Sequence, residues 1–300
     1  MPELPEVETV RRSLVDHVIG RTITGASVTD FPGVLGDDPD ATTAALTGRV
    51  IEDVRRRGKY LLILLDDGTY MVVHLRMTGQ LLLSRHNQPP ARFQHLAILL
   101  DDGNELRFAD QRKFGRVLHA SRETVAALDV RLGPEPLTPS FTASKLGEIV
   151  RRRPGKIKSV ILDQHAIAGL GNIYADEALF RARIHPERPA SSLTTAEIGR
   201  LHRAIRASLG EAIVNRGTTF SSFLDGYGAS GDNAHNLRVY GRGRGGEPCD
   251  RCGTALTLTI VGGRSSHFCP RCQPFSLPTG GTELNAAGGV GEPAAQDENA

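Results

Sequence analysis

At 300 residues and 39% hydrophobic content, the chain is long enough to bury two modest cores and too long to be only a small metal-stabilised module. Its 36 Lys and Arg against 34 Asp and Glu give a net charge of +2, which alone selects no partner. Four of the acidic residues and none of the basic ones fall in 276–300, so the remainder holds 36 basic against 30 acidic residues, a mild nucleic-acid signal. Neither a signal peptide nor a run of about 20 apolar residues occurs, so a soluble, cytoplasmic protein with no membrane association is expected.

Val7, Val10, Leu14 and Val18 recur at three- and four-residue intervals, which predicts an amphipathic opening helix with Pro2 and Pro5 before or inside its first turn. Short Val, Ile and Leu-rich runs at 60–65, 70–75, 80–83, 96–100 and 105–109 read as strands, with Asp-Gly turns at 67/68 and 102/103. They predict a two-layer β domain. Gly133, Pro134, Pro136 and Pro139 then mark a linker. Beyond it the period becomes helical at 141–150, 160–168, 173–180 and 195–214. Gly169-Leu170-Gly171-Asn172 forms a tight turn, and Thr194 or Thr195 caps the last helix. A compact basic run, Arg151, Arg152, Arg153, Lys156 and Lys158, is in isolation as compatible with a solvated face as with DNA. The fold class is therefore multidomain α+β. A two-layer β-sandwich with an N-terminal helix spans 1–133, a linker 134–140, a helical domain 141–240 and a cysteine module 241–274. A Gly, Ala and Glu-rich tail at 275–300 is expected to be disordered.

Cys249-x2-Cys252 and Cys269-x2-Cys272 are separated by 16 residues, enough for a β-hairpin that brings four thiolates to one ion. One structural zinc per chain is expected, with no organic cofactor. His267 is a surplus ligand in that scheme, expected to pack or face solvent. Arg264 lies at the hairpin tip, where it can project toward a phosphate backbone. At the other end, removal of Met1 would expose the secondary amine of Pro2, which can attack a sugar C1′ and form an iminium ion. Glu3 and Glu6 could move protons beside it. Helix capping accounts equally for Pro, Glu and Glu in a first turn, and surface charge for Lys59 before a strand.

Taken together, several segments resemble one family in the same order: Met1-Pro2-Glu3-Leu4-Pro5-Glu6, Arg57-Gly58-Lys59-Tyr60, His74-Leu75-Arg76-Met77-Thr78-Gly79 and Asp110-Gln111-Arg112-Lys113-Phe114-Gly115. Gly169-Leu170-Gly171-Asn172-Ile173-Tyr174, Val239-Tyr240-Gly241-Arg242 and the four cysteines follow. Over roughly 1–274 the chain resembles the formamidopyrimidine-DNA glycosylases. The resemblance implies a helix-two-turn-helix in the helical domain and a bifunctional glycosylase and AP lyase. That enzyme would act on 8-oxoguanine and formamidopyrimidines in damaged double-stranded DNA, preferably opposite cytosine, as a monomer. It implies Pro2 as nucleophile, Glu3 as proton-transfer group, Glu6 as supporting carboxylate and Lys59 as a phosphate-contacting lysine. Met77, Arg112 and Phe114 would enter the duplex, Asn172 and Arg264 would grip phosphates, and His95 and Lys158 would join the DNA contacts. Thr218 and Thr219 would open a loop over the extruded base.

Three departures stand out. Arg76 occupies a position where the family often has Gly, Arg216 replaces the first glycine of a Gly-Gly-Thr-Thr loop start, and 232–235 lacks the family's common aromatics. Two rivals remain open at this point. One is the sister endonuclease VIII branch, which favours oxidised pyrimidines; the other is a non-catalytic zinc DNA-binding protein.

Overall fold

The computed structural model describes residues 1–29 and 31–277. The opening helix, α1 (Leu4–Val18), starts at Glu3, which makes a reciprocal capping box with Glu6. Strand β1 (Ile23–Val28), helix α2 (Pro39–Leu46), and strands β2 (Ile51–Arg57), β3 (Tyr60–Leu65) and β4 (Tyr70–His74) follow. Next come β5 (Gly79–Arg85), β6 (Gln94–Leu100), β7 (Asn104–Asp110), β8 (Arg116–Ala120) and helix α3 (Arg122–Arg131). The strands form two antiparallel sheets, ordered β1-β6-β7-β5 and β2-β3-β4-β8. Between them lies one apolar core that includes Ile23, Leu61, Ile63, Val73, Leu81, Leu106 and Phe108, with Val7, Val10 and Leu14 of α1 belonging to it.

Strand β3 reads as continuous rather than alternating because both of its faces are covered. Leu61, Ile63 and Leu65 enter the main core, while Leu62 joins Val72, Ala120 and Val125 of α3 in a small outer cluster. Helix α3 has no buried residue and so presents no apolar stripe for periodicity to find. The edge strand β1 and the charged β2, with Glu52, Asp53 and three arginines in seven residues, bury only Ile23 and only Ile51 and Val54 respectively, too few to give an alternating apolar pattern.

The second half is helical: α4 (Ala143–Arg151), α5 (Ile157–Leu162), α6 (Asn172–Ala182) and α7 (Thr195–Val214), around a separate core that includes Leu4, Ile161, Tyr174, Leu179, Leu201 and Ile205. Thr194 caps α7 in a capping box with Glu197. The helix expected over 160–168 is corrected: α5 ends at Leu162, and Ala166, Ile167 and Ala168 are buried in a turn. Asp163 breaks the helix by accepting from His165 N at 2.9 Å through its side chain and from Ala166 N and Ile167 N through its carbonyl. Strands β9 (Thr257–Val261) and β10 (Arg264–Phe268) pair as the expected hairpin. The described part of the tail ends at Leu277; the rest of that expected disordered segment lies outside the described residues. No helix among the described residues is long and apolar enough to cross a membrane.

Candidate active site and nucleic-acid interface

The N-terminus is seated where the β-sandwich meets the helical domain. Leu4 N donates to Gly169 O at 3.0 Å, which fixes the chain entering α1 against the glycine turn. Gly169 has φ +82°, and a Cβ there would come within 2.7 Å of Leu4. A Cβ on Gly171 would lie 2.2 Å from the Glu3 carboxyl carbon. The Gly-Leu-Gly sequence is thus required by close approach as well as by the turn.

Pro2 is buried beneath the exposed Met1. Glu3, only 2% exposed, accepts from Ile173 N at 2.9 Å at the start of α6, and its own N–H donates to Glu6 at 2.8 Å. Burial lifts the Glu3 pKa to about 7, with Lys59 opposing the rise and Glu6 adding to it. Lys59, 7% exposed in the β2–β3 turn, is pushed below its ordinary value by burial; Glu3 and Glu6 pull it back, and Arg264 adds to the fall. A carboxyl poised near neutrality beside a weakened ammonium can both release and take up a proton. Glu6 is held deeper, accepting from Tyr174 Oη at 2.5 Å and Thr218 N at 2.8 Å.

Of these groups Glu3 and Lys59 line a cleft of about 650 Å³, whose lining also includes Met77, Asn172, Tyr240 and Arg264. The cleft is cross-braced: Asn172 Nδ2 donates to Ser265 Oγ at 3.1 Å, joining the glycine turn to the hairpin tip. Met77, Arg112 and Phe114 converge on the rim. Arg112 lies 3.0 Å from the Met77 sulfur and 4.9 Å over the Phe114 ring, and both apolar side chains are exposed. Asp110 organises that turn, accepting from Arg112 N, Phe114 N and Gly115 N and from the Thr78 hydroxyl. Asp110 and Tyr174 stand in the quoted motifs, yet no role was expected for either. Their signal was an acid opening a turn and a hydroxyl two residues beyond the turn asparagine.

Two residues expected to contact DNA are buried in this structure. Lys158 is 0% exposed, its ammonium 2.6 Å from Asp176 and donating to Ser265 O, so it braces the hairpin. His95 is also buried, with Nε2 2.9 Å from the Asp110 carbonyl oxygen. Both owe their burial to neighbours far away in the chain. His267 packs: Asp176 accepts from its N–H at 2.9 Å and contacts its ring nitrogen.

The four cysteine sulfurs lie within 4.8 Å of one another, with Cys249–Cys272 at 3.9 Å and Cys252–Cys269 at 3.5 Å. Four Zn–S bonds of about 2.3 Å in a tetrahedron would set the sulfurs roughly 3.8 Å apart, so the donor set fits zinc and is far too wide for disulfides.

Residues 1–117 match the formamidopyrimidine-DNA glycosylase N-terminal domain, 132–223 that family's H2TH domain, and 246–274 a zinc finger found in FPG and IleRS. A formamidopyrimidine-DNA glycosylase of Chloroflexus aurantiacus is 50% identical over 273 residues, covering 91% of this chain and 98% of its own. The chain belongs to the formamidopyrimidine-DNA glycosylase family. The corresponding protein of Herpetosiphon aurantiacus is 49% identical, with 91% and 100% covered. Among solved structures, wild-type Lactococcus lactis Fpg bound to DNA containing N7-benzyl-Fapy-dG is 38% identical with a TM-score of 0.84, covering 91% and 100%. MutM of Thermus thermophilus is 42% identical with a TM-score of 0.81, covering 91% and 98%. Members of this glycosylase family are enzymes that join DNA glycosylase and AP lyase activities.

Two departures from the family pattern acquire a physical account. Arg216 takes a left-handed backbone, φ 58°, of the kind glycine adopts freely, and its guanidinium pairs with Asp232 at 2.8 Å. Asn233, buried, donates to Thr218 Oγ1 at 2.9 Å, so the altered 232–235 segment clasps the base of the loop that Thr218 and Thr219 open. Thr218 is itself buried against Tyr174, and Thr219 Oγ1 donates to Phe223 O at 2.9 Å.

Proposed function

We propose that this glycosylase excises 8-oxoguanine and formamidopyrimidines from duplex DNA, preferably opposite cytosine, and then cuts the strand as an AP lyase. The observation that carries this reading is the buried Pro2 next to Glu3, which lines one cleft together with Lys59, Asn172 and Arg264. Once Met1 is removed, the Pro2 nitrogen lone pair forms a bond to C1′ while the C1′–base bond breaks, its electron pair leaving with the base, which ends with the proton that the attacking nitrogen gives up. Glu3, poised near pH 7, donates a proton to the sugar ring oxygen as the C1′–O4′ bond opens, which leaves an iminium ion on C1′. The iminium acidifies C2′; loss of that proton expels the 3′ phosphate, and a second elimination expels the 5′ phosphate. Lys59, Asn172 and Arg264 hold phosphates flanking the lesion, and Met77, Arg112 and Phe114 fill the space left by the extruded nucleotide, with Arg112 facing the orphaned cytosine.

A closed four-thiolate zinc site, one per chain, would hold the hairpin that carries Arg264 and Ser265. The donor geometry supports that role. The protein acts as a cytoplasmic monomer on chromosomal DNA. Glu3-Leu4-Pro5-Glu6 and the similarity to enzymes named for formamidopyrimidine favour oxidised purines over the pyrimidine-directed alternative. The test is incubation with duplexes carrying 8-oxoguanine, an oxidised pyrimidine or an abasic site, with and without borohydride. A reduced adduct on a peptide beginning at Pro2 is expected, strongest with 8-oxoguanine opposite cytosine, and Pro2→Gly should be strongly impaired. DNA attached to Lys59 would refute the N-terminal mechanism even if oxidised guanine were released.

A further inference from the structure

Five non-glycine residues among those described adopt a left-handed backbone: Arg76, Phe93, Lys113, Arg183 and Arg216. Arg76 precedes Met77, and Lys113 lies between Arg112 and Phe114. Phe93 belongs to the same neighbourhood, because its carbonyl accepts from Asp110 N at 3.0 Å and Asp110 holds the Arg112–Phe114 turn. A φ of 61° is strained for a bulky aromatic residue. The turn is nevertheless closed from both ends, by Gln94 N donating to Ala91 O at 3.1 Å and Ala91 N to Gln94 Oε1 at 3.0 Å.

The strain presents the ring outward. Phe93 is 41% exposed, and the exposed Arg92 places its guanidinium 4.6 Å above the ring centroid. Such a pair suits a nucleotide, with the ring for a base face and the guanidinium for a phosphate. It borders a second cleft of about 360 Å³, lined also by Thr78, Gln111 and Ser222. Met77 faces the cleft that holds Glu3 and Lys59, whereas its neighbour Thr78 and Gln111, the neighbour of Arg112, line this one. The inserting side chains therefore stand between the two clefts.

We propose that Arg92 and Phe93 form a further DNA-contacting site, across the inserting side chains from Pro2, that holds a nucleotide of the strand opposite the lesion. This rests on the reading of Met77, Arg112 and Phe114 as the groups that enter the duplex. The test measures binding of the full chain to a duplex with a stable abasic analogue opposite cytosine, and to the lesion strand alone. Phe93→Ala should bind the duplex about tenfold more weakly, the scale of one lost base–aromatic stack, and the single strand as wild type does. Arg92→Ala should lower the salt dependence of duplex binding by about one released counterion. Phe93→Gly should lose the same affinity with an unchanged or higher melting temperature, because glycine adopts the left-handed backbone freely. A lower melting temperature would make Phe93 a packing residue and overturn the proposal. So would Phe93→Ala binding within twofold of wild type while Arg112→Ala and Phe114→Ala bind weakly, or a deficit that persists on the single strand. If Arg112→Ala and Phe114→Ala also bind as wild type, the insertion reading falls and this site with it.

Discussion

Glu3 carries a conflict that the surrounding protein maintains. It sits at a helix start that favours negative charge, accepting backbone hydrogen bonds, yet burial raises its pKa to about 7. A carboxyl whose folded pKa lies above its unfolded value contributes stability that is complete below about pH 4.5 and is lost as pH rises through about 7. Glu3→Gln should remove that slope. Denaturant unfolding at pH 5 and pH 8 should show wild type losing stability relative to the variant, by at most about 3 kcal/mol for a shift of this size. Parallel stabilities at both pH values would mean that the charge on Glu3 is solvated or fully neutralised by Lys59. The left-handed Arg216 is a second residue-scale compromise, in which an ion pair to Asp232 accompanies a backbone that glycine would adopt without strain.

At the scale of elements, the turn before α6 and the cysteine hairpin each position one wall of the cleft. Gly171→Ala drives a methyl group into the Glu3 carboxyl. We expect base excision and strand cutting to fall about 100-fold with zinc content and secondary structure preserved; activity within threefold of wild type would show that Glu3 can move without consequence. In Cys269→Ser the hairpin loses its anchor, and with it the Ser265 contacts to Asn172 and Lys158. The sandwich core shares no residue with the cluster around Cys249 and Cys269, so it should stay folded. Metal analysis should find one zinc per wild-type chain and none in the variant, whose DNA affinity should also fall. Wild-type protein purified without zinc would defeat the assignment.

For the whole molecule, the linker is a strut. Glu135 Oε1 accepts from Gly58 N at 2.5 Å and from Arg56 at 3.0 Å, while Arg206 of α7 donates to Pro136 O and Thr138 O, each at 2.9 Å. Both domains therefore grip the same few residues, and the β2–β3 turn that carries Lys59 is fixed relative to the glycine turn. Glu135→Ala would leave Arg56 and Arg57 short of a partly buried counter-charge, a loss on the order of 3 kcal/mol. Substrate binding should weaken more than turnover, since the chemistry proposed at Pro2 is untouched while the cleft loosens. An unchanged unfolding midpoint would show that the domains are held together elsewhere, chiefly through α1.

The sequence by itself determined the domain order, the β-to-helical change at the proline-rich linker, the capped α7, the four-thiolate hairpin and the family. Each of these is written in local patterns: apolar period, turn residues, cysteine spacing and short motifs. It did not reveal α2, α3, β1, β2 or β8, whose apolar pattern is weak, and it extended α5 too far because buried residues in a turn imitate helical spacing. Only the tertiary structure decided the state of the site. Lys59, Lys158 and His95 were indistinguishable as basic residues, yet all three are buried, and of them only Lys59 lines the cleft. The raised pKa of Glu3 comes from burial, opposed by Lys59, 56 positions away, and the Glu6 partners Tyr174 and Thr218 lie 168 and 212 positions along the chain. Desolvation and long-range hydrogen bonds depend on which segments fold against one another, and no local pattern of residues records that.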